Sequence, residues 1–186
     1  GILHMLNVKA VVLRLSEENG FNMVPSEVEA LVTAKTKVIL VNSPQNPTGA
    51  VMGEENLKGI AEIAKKNGIF VLSDESYEKL VYEGARHVSI ASLPGMRDLA
   101  ISQFTLSKTY AMTGWRVGYV AAAKELSAPI RKVSLYTVTH VNSITQKAAL
   151  AAIEGPQDCV KQMLAVGRAT ACRAACAEKG DPAMIP

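Results

Sequence analysis

Short apolar runs alternate with a helical pattern along much of this chain, and this alternation constrains its fold more than any other feature. Residues 54–66 place apolar side chains at helical spacing and end at Asn67-Gly68, a common helix stop. Continuous apolar strands that alternate with helices are typical of a parallel sheet covered on both faces. The sequence therefore predicts an α/β fold with a mostly parallel sheet and flanking helices. The predicted strands are residues 37–41, 69–72, 99–104 and 117–122.

Weaker signals predict further elements near both ends of the chain. Residues 9–15 form a β-rich run close to the start. Ser26 and Glu29 have the spacing of a capping box, which predicts that a short helix begins there. From Lys124 onward the pattern is helical, with one apolar helix expected over residues 144–153. The last part of the predicted fold is therefore helical.

Composition and charge limit the kinds of partner to be expected. The chain has 186 residues, of which 48% are hydrophobic and 20% charged, so a sizeable core can be buried. Its formal net charge of +3 is spread without a dense Lys/Arg cluster, which argues against nucleic acid as a partner. No apolar run approaches the ~18 residues that a membrane span needs, and no secretory segment is visible. We expect a cytoplasmic protein that binds neither nucleic acid nor membrane.

The cysteines do not suggest a structural site. There are three, Cys159, Cys172 and Cys176, and an odd number argues against a disulfide framework. Cys172 and Cys176 would share a helix face, but no cluster of histidines accompanies them. We therefore expect reduced cysteines and no metal site.

Polar side chains follow three of the predicted strands, each shortly after the strand ends. Asn46 follows the first, Asp74 follows the second, and Ser107 and Lys108 follow the third. Ligands of parallel α/β sheets bind outside the carboxyl ends of the strands. These residues are therefore expected to converge on one site.

The segment around the lysine carries the chemistry that a phosphorylated aldehyde requires. Lys108 provides an amine for a Schiff base, and we expect it to be partly buried beside its polar neighbours. Thr105, Ser107 and Arg116 provide two hydroxyls and a guanidinium that suit a phosphate group. The segment therefore predicts a covalent site for a phosphate-bearing cofactor.

Three motifs together resemble one enzyme family. They are Asn46-Pro-Thr-Gly49, Asp74-Glu-Ser-Tyr77 and the segment from Thr105 to Arg116. In this order they are similar to the class I/II (fold type I) pyridoxal-phosphate-dependent aminotransferases, the aspartate aminotransferase family. The resemblance implies pyridoxal 5′-phosphate as cofactor, with an α-amino acid and a 2-oxo acid as the small-molecule partners.

The resemblance also assigns roles to individual residues. It implies that Lys108 binds the cofactor covalently and then moves a proton at the substrate α-carbon. It implies that Asp74 pairs with the pyridine nitrogen, and that Asn46 and Tyr77 contact the cofactor oxygen O3′. The remaining cofactor-binding residues implied, those for the phosphate, are Thr105, Ser107 and Arg116. Family members more often have serine at the position of Thr105.

Full members of the family are longer than this chain, so the resemblance indicates a truncated central part of the large domain. We interpret residues 6–163 as a partial cofactor-binding domain, residues 1–5 as a cloning remnant and residues 164–186 as a divergent tail. Neither the upstream phosphate-binding turn of the family nor its substrate-binding arginine is recognised here. A sheet lacking neighbours exposes an edge and apolar faces, which predicts a homodimer or higher homo-oligomer.

Two other functional readings remain open from the sequence. Ser76 and Lys79 form a Ser-x-x-Lys arrangement, which serine esterases and related hydrolases use with the lysine as base. The alternative is therefore a cofactor-independent hydrolase. The third reading is an inactive scaffold, whereas a truncated remnant that retains cofactor binding belongs to the first, aminotransferase reading. The amino donor, and the choice between an aminotransferase and a β-lyase, are not predicted.

Overall fold

The computed structural model describes residues 2–82 and 84–167 and contains a four-stranded sheet of order β1-β2-β3-β4. β1, β2 and β3 are parallel, and β4 runs antiparallel to β3. The predicted α/β fold with a mostly parallel sheet is therefore confirmed. The strands are β1 Val38–Asn42, β2 Phe70–Asp74, β3 Ala100–Thr105 and β4 Gly118–Ala122.

The direction of β4 follows from the short connection before it. Parallel neighbours need a crossover, usually a full helix, whereas β3 and β4 are joined by a one-turn helix and a 3-10 turn. The helices of the described residues are α1 Ile2–Met5, α2 Pro25–Leu31, α3 Glu54–Asn67, α4 Leu106–Thr109, α5 Lys124–Thr137 and α6 Ser143–Glu154, followed by α7 at 158–167. None of the helices in this described part is long and apolar enough to span a bilayer.

The main core lies between α3 and the parallel strands. Leu57, Ile60 and Ala64 of α3 belong to the same buried cluster as Val41 and Val71 of the sheet. Each large side chain buried in this way contributes about 1.5–3 kcal/mol. The helix ends at Gly68, whose φ of 62° is the left-handed cap that the Asn-Gly pair predicts. This core supports β1 and β2 up to the ends at which the site residues lie.

One expectation about the sheet is wrong. β1 was expected to be buried on both faces, but only Ile39 and Val41 are buried. Val38 and Leu40 point to the opposite face and are 50% and 60% exposed. β1 is an edge strand, and no described element covers its second face.

Two local expectations near the start of the chain are also wrong. Residues 9–15 pair with no described strand, and Val11 and Val12 are exposed, because β-propensity alone does not supply a neighbouring strand. Ser26 does not cap α2, which begins one residue earlier at Pro25 with Val24 as its N-cap. Proline is favoured at the first helical position because it has no N–H to satisfy there.

Candidate functional site

Several of the predicted site residues lie at or just after the carboxyl ends of the parallel strands. Asn42 and Asp74 are register partners at the ends of β1 and β2, and Asp74 is paired with Gln103 of β3. Thr105 ends β3 and is the N-cap of α4, which contains Lys108. The parallel arrangement therefore places the carboxylate, the hydroxyl and the amine on neighbouring strand ends.

Helix α4 determines how the lysine is presented. Its first turn is capped by Thr105, whose Oγ1 accepts from the Ser107 amide at 3.2 Å and donates to the Val117 carbonyl at 3.4 Å. Ser107 is buried, whereas Lys108 is exposed, contrary to the expectation of partial burial. The Lys108 Nζ lies 5.6 Å from the ring centroid of Tyr77, within the range of a cation–π contact.

Arg116 and the two hydroxyl residues share one cavity. A cavity of about 310 Å³ is lined by Thr105, Ser107 and Arg116 among others. Arg116 has a φ of 52° and its Nη1 donates to the Thr113 carbonyl at 3.0 Å. The left-handed backbone of Arg116 lies between α4 and β4, and Arg116 lines the same cavity as Thr105 and Ser107 at the start of α4.

Asp74 is held by the turn that follows β2. Its Oδ1 accepts from the Ser76 amide at 3.2 Å and from the Ser76 Oγ at 2.5 Å. Tyr77 lies in the same turn, and its carbonyl accepts from the Leu80 amide at 2.8 Å. Oδ1 of the Asp74 carboxylate is thus hydrogen-bonded within the turn, and the ring of Tyr77 in the same turn contacts Lys108.

Asn46 is connected to Asp74 through a residue that the sequence interpretation did not single out. The backbone N–H of Asn46 donates to Asn42 Oδ1 at 2.9 Å, and Asn42 Nδ2 donates to the backbone carbonyl of Asp74 at 3.3 Å. Asn46 itself is exposed. The available signal for Asn42 was an asparagine directly after the apolar run of residues 38–41.

Comparison with known protein families matches almost the whole chain. The family described as aminotransferase class I and II matches residues 2–186. The chain belongs to this family. The suspected membership in the class I/II aminotransferases is confirmed.

Curated relatives of this family member include aspartate aminotransferases. It is 40% identical over 148 residues to the aspartate aminotransferase of Geobacillus stearothermophilus, covering 79% of this chain and 38% of the relative. It is 43% identical over 152 residues to a probable aspartate/prephenate aminotransferase of Aquifex aeolicus, covering 80% of this chain and 39% of that protein. The chain thus spans about two fifths of the length of these relatives.

Solved structures of aminotransferases match the fold. N-succinyldiaminopimelate aminotransferase from Mycobacterium tuberculosis has a TM-score of 0.89 and 30% identity, covering 94% of this chain and 46% of that one. A mutant of Thermus thermophilus aspartate aminotransferase has a TM-score of 0.85 and 32% identity, covering 95% of this chain and 46% of that one. The family member therefore has the fold of part of these enzymes.

The residues present in this aminotransferase-family chain fit pyridoxal 5′-phosphate by their chemistry. Thr105, Ser107 and Arg116 around one cavity supply donors for a phosphate. Lys108, next in sequence to Ser107, supplies an amine that contacts the Tyr77 ring, and Asp74 supplies a carboxylate with one oxygen engaged by Ser76. The Asp74 carboxylate suits a protonated ring nitrogen, and the Arg116 guanidinium with the two hydroxyls suits a phosphate, so together they fit a ligand that has both groups.

Ser76 and Lys79 are not brought together as a hydrolase would require. The Ser76 Oγ donates to Asp74, and the Lys79 Nζ is exposed and lies 3.9 Å from Glu78 Oε2. A lysine base must lie within hydrogen-bond reach of its serine. Asp74 takes the Ser76 hydroxyl instead, because a carboxylate two residues away closes a local turn.

Sequence interpretation also missed a buried carboxylate next to the site. Glu75 follows Asp74, is 1% exposed, and is hydrogen-bonded to His87 and Ser89. The signal was its position, since it continues the buried alternation of Val71 and Ser73 along β2. Among the residues the structure describes, no three His, Cys, Asp or Glu side chains group as a metal site requires. Cys172 and Cys176 lie outside that part of the chain.

Proposed function

We propose that this chain binds pyridoxal 5′-phosphate and takes part in transferring an amino group between an α-amino acid and a 2-oxo acid. The observation that carries the proposal is the contact of Lys108 with Tyr77, which joins the segments that follow β2 and β3; the cavity that Thr105, Ser107 and Arg116 line supports it. Membership of the aminotransferase family and the names of the relatives support the same reaction class. Because the chain spans only part of those relatives, the full reaction is a property to be tested.

Lys108 is the proposed catalytic residue. Its amine would hold the cofactor through the aldehyde group, and the same amine would move a proton at the substrate α-carbon. An exposed position in the short helix α4 leaves Nζ free to approach a ligand from the strand-end side. The cofactor, when bound, supplies the electron sink that lets the α-carbon lose this proton.

Asp74, Asn46 and Tyr77 are proposed to hold the ring of the cofactor. The Asp74 carboxylate would keep a proton on the pyridine nitrogen, which strengthens the electron sink. The Asn46 side-chain amide and the Tyr77 hydroxyl would donate hydrogen bonds to O3′. The Asn46–Asn42–Asp74 chain of hydrogen bonds supports this grouping, because it links the loop and the turn on which these residues lie.

Thr105, Ser107 and Arg116 are proposed to hold the phosphate. The Arg116 guanidinium can pair with a phosphate through two parallel N–H bonds, and the hydroxyls add donors beside it. Their common cavity supports this assignment.

The expected homodimer or larger homo-oligomer is also part of the proposal, supported by exposed apolar side chains such as Leu40 on β1 and Tyr136 on α5.

An absorbance titration with pyridoxal 5′-phosphate tests this function. We expect a protein-bound band in the visible or near-visible range, abolished in Lys108→Ala and retained in the matched variant Lys132→Ala, an exposed lysine of α5. Reduction with borohydride followed by peptide mass analysis should place the cofactor on the peptide that contains Lys108. No band, or a label elsewhere, would contradict the proposal. Assays with amino-acid donors and 2-oxo acids then test the transfer itself.

A further inference from the structure

The buried carboxylate Glu75 lies directly next to the proposed cofactor residues but points the other way. Val71, Ser73 and Glu75 are buried, whereas Asp74 between them is partly exposed. The Glu75 amide donates to the Gln103 carbonyl at 2.9 Å, so the ladder of β2 with β3 continues one residue beyond Asp74. Successive side chains on a strand face opposite sides, which sends Asp74 towards the site and Glu75 towards the core.

Each oxygen of the Glu75 carboxylate has its own partner. Oε2 lies 2.9 Å from His87 Nε2, and Oε1 accepts from Ser89 Oγ at 2.7 Å. Burial raises the pKa of Glu75, but the polar side chains of His87, Ser89 and Ser102 together outweigh burial and leave the pKa below its usual value. The ionised carboxylate is therefore the form that these side chains hold.

His87 suits the role of a donor dedicated to Glu75. Its Nδ1 is buried and has no hydrogen-bond partner within the described part of the chain. Nε2 is therefore the ring nitrogen of His87 that makes a described hydrogen bond, and its partner is the Glu75 carboxylate.

The main chain of Glu75 fixes the turn that carries the cofactor residues. Its carbonyl accepts from the Glu78 amide at 3.1 Å, which closes the turn around Tyr77. The two residues that flank Glu75 in the chain are also hydrogen-bonded, since Ser76 donates to the Asp74 carboxylate. Glu75 therefore lies within the hydrogen-bonded turn that carries both Asp74 and Tyr77.

We propose that Glu75, His87 and Ser89 form a buried clamp that positions the turn 74–78, so that Asp74 and Tyr77 face the same ligand. His87 and Ser89 are positioning residues that act through Glu75. The inference deepens the proposed function and rests on it, since it assigns the clamp to the residues proposed to hold the cofactor ring. The structural part of the inference, the control of Tyr77 by residues of the 87–89 segment, is measurable without any cofactor.

Tyrosine-labelled NMR of the chain without added cofactor tests the clamp directly. The chain has five tyrosines, so the ring signals are few, and Tyr77→Phe assigns the one that matters. Ser89→Ala and His87→Phe change residues remote in sequence from Tyr77 and should shift its ring signal. The signal of Tyr136, which is 79% exposed, serves as the internal reference.

Cofactor titration of the same variants tests the functional consequence. Ser89→Ala should raise the Kd for pyridoxal 5′-phosphate roughly tenfold, the scale of a hydrogen bond to a charged group. Ile63→Val in α3 is the control, because it loosens the core without touching the clamp and should leave both the Kd and the Tyr77 signal unchanged. Adding Ser89→Ala to Glu75→Gln should have almost no further effect if Ser89 acts through Glu75.

The outcomes separate the clamp from the proposed function. A Tyr77 signal that stays unchanged in both Ser89→Ala and His87→Phe would overturn the clamp. A shifted signal with an unchanged Kd would overturn its role toward the cofactor. A shifted signal in a chain that never forms a Lys108-dependent band would support the clamp and overturn the proposed function. If His87→Phe fails to fold, Ser89→Ala alone decides.

Discussion

The Lys108 ammonium nitrogen lies 5.6 Å from the centre of the Tyr77 ring, and this contact joins the two segments that carry most of the candidate site. Lys108 belongs to α4, directly after β3, whereas Tyr77 belongs to the turn after β2. The parallel pairing of β2 with β3 brings these segments side by side. The contact places an aromatic hydroxyl residue next to the amine on which the proposed chemistry depends.

Substitutions of Tyr77 separate the effect of its ring from that of its hydroxyl. Tyr77→Phe keeps the ring over Lys108 but loses the proposed donor to O3′, so the Kd for pyridoxal 5′-phosphate should rise roughly tenfold. Tyr77→Leu also loses the cation–π contact, worth about 0.5–1 kcal/mol at such a site, and should bind a few-fold more weakly still. Absorbance titration measures both. Equal binding by the wild type and Tyr77→Phe would show that the Tyr77 hydroxyl does not bind the cofactor.

Gly118 should not tolerate a side chain. A Cβ atom there would lie 2.4 Å from the Phe104 carbonyl oxygen, on the partner strand next to Thr105. Gly118→Ala should therefore push β4 away from β3 and lower the free energy of unfolding by about 1–3 kcal/mol. Gly114→Ala is the matched control, because no atom lies within 4 Å of its Cβ position. Chemical denaturation measures both, and equal stability of the two variants would contradict the prediction.

Glu75 should make stability depend on pH in the acid range. Its pKa is lowered from 4.5 in the folded chain, so its contribution is fully present above that value and is lost as the pH falls through the folded pKa. Removing the negative charge while leaving His87 and Ser89 buried should destabilise Glu75→Gln at neutral pH. The wild type and Glu75→Gln should therefore differ most above pH ~5 and converge below the folded pKa. Unfolding curves across this range test the sign, and a gap that widens in acid would refute it.

Ser76 is predicted to support Asp74 rather than to act as a nucleophile. Ser76→Ala removes the 2.5 Å hydrogen bond to Asp74 but should not abolish any hydrolysis of an activated ester. Lys79→Ala, at an exposed position, should likewise have no effect on such an assay. Hydrolysis that disappears in both variants would favour the hydrolase interpretation instead. The cofactor band should survive in Ser76→Ala with weaker binding.

Self-association is predicted from the exposed apolar surface. Leu40 on the open face of β1 and Tyr136 on α5 are 60% and 79% exposed. Apolar side chains of this kind favour association between copies. Sedimentation should therefore detect a homodimer or a larger homo-oligomer, and Leu40→Glu together with Tyr136→Glu should shift it toward smaller species. A clean monomer for the wild type would contradict this expectation.

The strands and the long helix could be predicted from local pattern because each is encoded within a few neighbouring residues. The apolar run of β2 and the helical spacing of α3 need no distant partner to be recognised, and the Asn67-Gly68 pair predicts the cap at Gly68. Residues 9–15 carried a similar local pattern but formed no strand. Strand formation requires a neighbour to pair with, and local pattern does not supply one.

The sequence by itself determined the α/β fold and the order in which the site residues follow the strands, and its motifs resembled those of the family. The apolar period of each element lies within a few neighbouring residues, so it is sufficient for the fold and this order. Only the tertiary structure decided that β4 is antiparallel, that Lys108 is exposed above Tyr77, and that Glu75 is held by His87 and Ser89. Such relationships join residues far apart in the chain, and they depend on which strands pair and on where each loop returns.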